Sequence, residues 1–234
     1  MFKKDLFFKQ SPWSWREMTL LLGLVLILVP FFVEFLLMHV LTEWFQNELY
    51  SGTLIGFIMS IIFTLGLYFI AIKPKGLSWK EVGLLRFSNS YWGWIVVWTV
   101  ILIIISIIMA IAVDVLFNIG TDNSKTESLQ ASLNPFTILI GFVSAAIISP
   151  IYEEIFYRGF LYRWLRSKYG IVCGLLVSSF IFMLVHIPTF NTLPYTFLSG
   201  IIFAWTYEKT NSIYPAMIIH GAFNGLAVLL TVTA

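Results

Sequence analysis

The sequence predicts an all-α fold, a polytopic transmembrane helical bundle of about seven spans with a short interfacial amphipathic segment. Three observations predict it. Of 234 residues, 59% are hydrophobic and 11% charged, against roughly 45–50% and 25% in soluble domains. Apolar runs long enough to cross a bilayer recur along the chain, since about 20 helical residues at about 1.5 Å each cover the hydrocarbon core. Lys and Arg gather in alternate loops, the asymmetry that orients membrane proteins.

The first 16 residues are basic and aromatic and suit a membrane-surface start. No cleavable leader is expected, because the apolar run after Arg16 is too long for one. The first span is Glu17–Leu41 and the second Ser51–Ile72, joined by a loop holding Glu43 and Glu48. Residues 73–90 carry Lys73, Lys75, Lys80 and Arg86 beside Leu77, Trp79, Val82, Leu84 and Leu85, the amphipathic surface segment. The third span, Tyr91–Phe117, runs into the most polar stretch of the chain, expected to be mobile.

Asn134-Pro135 signals a helix start. The fourth span begins there and continues through Glu153 and Arg158 to Lys168, where Tyr169-Gly170 turns the chain. The fifth span is Ile171–Ile187, stopped by Pro188, and the sixth is Leu193–Tyr207. A polar turn leads to the seventh, Ile213–Val232. The charge pattern predicts a multi-pass cell-membrane protein, N-terminus cytoplasmic and C-terminus extracytoplasmic. It forms one integral membrane domain, 1–234, whose 135–232 helices carry the polar residues. A net charge of +2 gives no reason to expect a nucleic-acid partner. The lone Cys173 sits in an apolar run and reads as a packing residue.

Polar groups at membrane depth are costly and mark function. Glu153, Glu154 and Arg158 lie in the fourth span, His186 ends the fifth, and His220 and Asn224 lie in the seventh. Counted at about 1.5 Å per residue from the shared turns, Glu154, His186 and Asn224 fall at similar heights. Adjacent glutamates point about 100° apart and divide their duties. Glu154 and Arg158, four apart, suit an ion pair, which leaves Glu153 for proton transfer. Glu34 and His39 do not fall into a motif of this kind and read as structural or interfacial groups; Asp114 reads as a wetted group near the outer end of the third span and Glu208 as a surface charge.

The set Glu153-Glu154-x-x-x-Arg158, Phe182-x-x-x-His186 and His220-x-x-x-Asn224 resembles the CAAX protease and bacteriocin-processing (CPBP, or Abi) family of intramembrane endopeptidases. Each motif is weak alone; the three in order within apolar helices are specific, over about residues 150–225. The resemblance implies that Glu153 and His186 activate a water, that His220 and Asn224 stabilise the oxyanion, and that Glu154, Arg158 and Phe182 support them. It also implies a peptide or membrane-associated protein substrate, with the bilayer as surroundings. No cofactor is favoured. Glu153, His186 and His220 could bind zinc, but Asn224 suits a carbonyl better than a metal.

Substrates implied by the resemblance are a bacteriocin or pheromone precursor, a peptide met in self-immunity, or a prenylated CAAX protein. A non-catalytic membrane scaffold or immunity protein of the same fold stays open. So does a proton relay, which the lack of repeats and paired broken helices disfavours. The sequence holds no H-E-x-x-H, no G-x-S-x-G and no intramembrane Asp pair, which argues against other intramembrane protease chemistries.

Overall fold

The computed structural model describes residues 4–118, 120 and 124–233. Among them every regular element is helical. The elements are α1 (Lys4–Lys9), α2 (Trp15–Phe45), α3 (Glu48–Lys75), α4 (Asn89–Phe117), α5 (Ser124–Gln130), α6 (Pro135–Leu184), α7 (Leu193–Thr210) and α8 (Tyr214–Thr233). Five of them, α2, α3, α4, α6 and α8, are long and apolar enough to cross a membrane. The chain is a multi-pass helical membrane protein.

Three of the seven predicted spans are realised differently. α6 runs for 50 residues and holds both the fourth and the fifth. It breaks at Gly170, whose φ of 86° and ψ of 176° are not helical, as the sequence predicts for the Tyr169-Gly170 turn. A side chain there would be strained, which is why the position needs glycine. The arms 135–169 and 171–184 pack together near Gly174, where a Cβ would lie 3.1 Å from the Tyr162 ring. α7, the predicted sixth span, falls outside the five. It buries Thr196, Ser199, Thr206 and Tyr207 among its core residues; a helix that faces protein rather than lipid need not be apolar all round.

Helix starts follow their capping signals. Ser14 and Glu17 form a capping box on α2, Asn47 caps α3, and Asn134 caps α6 ahead of Pro135. These side chains satisfy the orphan N–H groups of the first turn.

One end of the bundle gathers the basic segments. There Phe8, Trp13, Tyr162 and Tyr207 are buried, and the Trp13 indole donates to Ala71 O at 3.0 Å. The amino-terminal segment therefore docks into the bundle; residues 1–3 lie outside the described part. Residues 73–90 are built from short 3-10 turns instead of a regular amphipathic helix. Val82 is buried, and its carbonyl lies 2.5 Å from where a Cβ on Gly159 would sit.

The polar stretch after Phe117 contains a short helix, α5. Leu129 is buried there, and Ser128 Oγ donates to Glu48 Oε2 at 3.0 Å. Residues 119 and 121–123 of that stretch lie outside the described part. Glu208, read from sequence as a surface charge, is corrected: it accepts from Tyr162 Oη at 2.6 Å and pairs with Arg166 Nη2 at 3.1 Å.

Candidate active site

The first arm of α6 carries the two glutamates. At Glu154 its hydrogen bonding widens from α to π-type turns that last to Tyr162, a change often found at functional sites. The Glu154 side chain is fully buried, while that of Glu153 remains 15% exposed. One carboxylate is sealed into the bundle and the other reaches its edge.

Glu154 Oε1 accepts two hydrogen bonds. Arg158 Nη1 donates at 2.8 Å, the pair expected from the i, i+4 spacing. His220 Nδ1 lies 2.9 Å away; a carboxylate oxygen accepts, so Nδ1 carries the proton. Arg158 is held further by Gly200 O at 3.4 Å. Its guanidinium lies between the rings of Phe182 at 4.2 Å and Phe203 at 4.9 Å, which stabilises a buried cation by its attraction to ring faces.

His220 has its other ring nitrogen, Nε2, 3.8 Å from Glu153 Oε2. The imidazole stacks on Phe203 with centroids 4.7 Å apart and an interplanar angle of 18°. One histidine thus bridges the two adjacent glutamates. His186 follows the end of α6 and places Nδ1 2.8 Å from Phe182 O. A carbonyl can only accept, so Nδ1–H donates and Nε2 is turned to other partners. The His186 ring packs edge-on to Phe182 at 4.8 Å. Asn224, one turn beyond His220, donates from Nδ2 to Ala145 O at 3.0 Å.

Small residues let α8 reach α6. A Cβ on Gly221 would lie 2.4 Å from Ala146 O, and one on Gly225 would crowd Phe142 and Ala146. The structure thus groups Glu153, Glu154, Arg158, Phe182 and His220 directly. His186 joins through Phe182, and Asn224 through the α6 backbone. Phe203 and Gly200 were missed by sequence reasoning, since an aromatic and a glycine in an apolar helix carry no signal there.

No group of three or more His, Cys, Asp or Glu among the described residues is placed to hold a metal ion. The shallow cavity of about 430 Å³ lined by His39, Glu43, Asn47 and Glu48 lies at the α2–α3 junction, apart from this set.

Residues 135–226 match the family model described as type II CAAX prenyl endopeptidase Rce1-like. All seven residues singled out from sequence, from Glu153 to Asn224, fall inside the matched segment. The chain is similar to YdiL of Bacillus subtilis, whose name describes a candidate membrane peptidase, with 29% identity over 49% of this chain and 46% of that protein. It is similar to the membrane-embedded CAAX protease MroQ of Staphylococcus aureus, with 28% identity over 58% of this chain and 56% of MroQ. It is 35% identical to the Lactococcus lactis protein YxdF over 33% of this chain and 42% of that protein. The chain spans about half the length of these relatives. No solved structure matches it.

Proposed function

We propose that the chain is an intramembrane endopeptidase. The observation that carries this reading is His220, set between Glu154 at 2.9 Å and Glu153 at 3.8 Å inside a segment that matches a protease family.

Glu153 acts as general base. It takes a proton from a water, whose oxygen bonds to the peptide carbonyl carbon while the carbonyl π electrons move to oxygen. His186 Nε2 helps hold that water. His220 Nε2–H and Asn224 Nδ2–H stabilise the oxyanion. In that role both ring nitrogens of His220 donate, Nδ1–H to Glu154 Oε1 and Nε2–H to the oxyanion. Collapse of the tetrahedral intermediate breaks the C–N bond, and Glu153 passes its proton to the leaving amine. Glu154 and Arg158 fix His220 in place. Asn224 must give up Ala145 O to reach an oxyanion, a side-chain rotation available to a half-buried residue.

The substrate proposed is a small peptide precursor or membrane-associated peptide, of the kind processed in bacteriocin or pheromone maturation or met in self-immunity. A prenylated CAAX protein is the second reading, favoured by the description of the matching family. The basic end, with the N-terminus, faces the cytoplasm. The test is cleavage of hydrophobic peptides by detergent-solubilised protein, with Glu153→Gln beside wild type and each with and without a strong chelator. Cleavage that survives chelation and is lost in the variant supports the glutamate mechanism. Cleavage lost on chelation assigns a metal to Glu153, His186 and His220, and unchanged cleavage by Glu153→Gln sinks the assignment of the base.

A further inference from the structure

α7 carries none of the seven motif residues, yet Phe203 near its middle is 1% exposed and lies against two of them, Arg158 and His220. Close packing brings it there. Gly200 lies one turn earlier on the same helix face and has no room for a side chain, since a Cβ would stand 2.8 Å from Ser179 Cβ. α7 is therefore pressed against the second arm of α6. Gly200 O accepts from Arg158 Nη2 at 3.4 Å, and three residues on Phe203 sets its ring 4.9 Å from the same guanidinium. Both contacts hold α7 in register with α6.

The other contact of Phe203 is with His220. The hydrogen bond from Nδ1 to Glu154 Oε1 at 2.9 Å fixes one atom of the imidazole. It does not fix the plane of the ring. Such a bond tolerates about 30° of misalignment before it weakens, and the torsion that turns an imidazole has a broad energy well. A turn of that size displaces Nε2, the nitrogen 3.8 Å from Glu153 Oε2.

Two aromatic rings remove that freedom. Phe203 lies flat against the imidazole, 18° from parallel with centroids 4.7 Å apart. Phe182 meets it edge-on, at 87° and 5.9 Å. Rotation of the imidazole out of its plane drives ring atoms into the face of Phe203, so the flat wall supplies the stronger restraint. The close packing of protein interiors makes such a wall stiff.

We infer that Phe203 is a positioning residue of the proposed peptidase, whose ring holds the imidazole plane of His220 so that Nε2 stays aimed toward Glu153. The inference rests on the endopeptidase reading, and the test separates the two. Phe203→Leu keeps an apolar side chain and removes the flat face. On a cleaved hydrophobic peptide its kcat is expected to fall about ten- to a hundredfold, with KM within about twofold of wild type. Phe203→Tyr keeps the face. Its kcat per folded molecule is expected to stay within about threefold of wild type, although the buried hydroxyl lowers Tm. Activity and stability then rank the two variants in opposite order. A kcat that follows Tm in both, or an unchanged kcat in Phe203→Leu, overturns the assignment and leaves the peptidase standing.

A second measurement needs no turnover. The chain has three histidines, so isotope-labelled imidazoles give three NMR signals in detergent, assigned with His39→Gln and His186→Gln. The His220 signal is expected to shift and broaden in Phe203→Leu and to return in Phe203→Tyr. The signal of His39, beside the α2–α3 cavity, is expected to stay in place. A His220 signal that depends on Phe203, in a protein that cleaves no peptide, removes the peptidase and keeps the held ring. A His220 signal indifferent to Phe203 overturns the inference whatever the kinetics show.

Discussion

His220 is held by Glu154, whose Oε1 accepts from its Nδ1 at 2.9 Å, while Glu153 stands 3.8 Å from its Nε2. Two neighbouring carboxylates thereby take different duties through one imidazole. Glu154 orients the ring and anchors Arg158. Glu153 lies at the bundle edge, its side chain 15% exposed.

Removing either partner of the buried ion pair leaves the other charge stranded. Arg158→Met and Glu154→Gln are each expected to cost about 3–5 kcal/mol, read as a lower Tm in detergent. The double variant is expected to recover part of that loss, because both charges are gone. Additive losses would show that the two residues act separately.

Glu153→Gln keeps shape and removes the proposed base. Turnover is expected to fall by about 10²–10⁴-fold with Tm close to wild type, since the side chain is partly exposed and outside the Arg158 pair. A large drop in Tm would instead make Glu153 a structural residue.

Asn224→Ala removes one proposed oxyanion donor and the tether to Ala145 O. The expected effect is about 10²–10³-fold in kcat with a smaller change in KM, measured on any cleaved peptide. Loss confined to Tm, with kcat intact in the folded fraction, would leave Asn224 as a tether alone.

Gly221→Ala places a methyl where Ala146 O stands 2.4 Å away. Backbone cannot yield as a side chain can, so α8 must retreat from α6 and carry His220 with it. Overpacking of this kind costs about 1–3 kcal/mol, and activity is expected to fall further than Tm alone accounts for. Gly52→Ala, with open space around its Cβ position, serves as the control.

Arg163 joins the amino-terminal segment to α6. Its guanidinium donates to Phe7 O at 3.1 Å, pairs with Glu81 Oε2 at 2.7 Å and stacks on the Phe7 ring at 3.9 Å. Arg163→Ala is expected to free residues 7–13, seen as faster chymotryptic cleavage after Phe7 or Phe8. Unchanged cleavage would mean that Trp13 and Phe8 hold the segment by packing alone.

The amino-acid sequence by itself determined the helical membrane class, the Gly170 turn and the Glu154–Arg158 pair. Each follows from local rules: hydropathy over about 20 residues, the left-handed freedom of glycine, and i, i+4 neighbours on a helix. It also singled out His220 and Asn224 by spacing. Only the tertiary structure decided what His220 touches, because its partners lie 66 residues away on α6 and no periodicity encodes which helix faces meet. The same holds for Phe203 and Gly200 around Arg158, for Val82 against Gly159, and for Glu208, which sequence left on the surface and packing drew in to Tyr162 and Arg166.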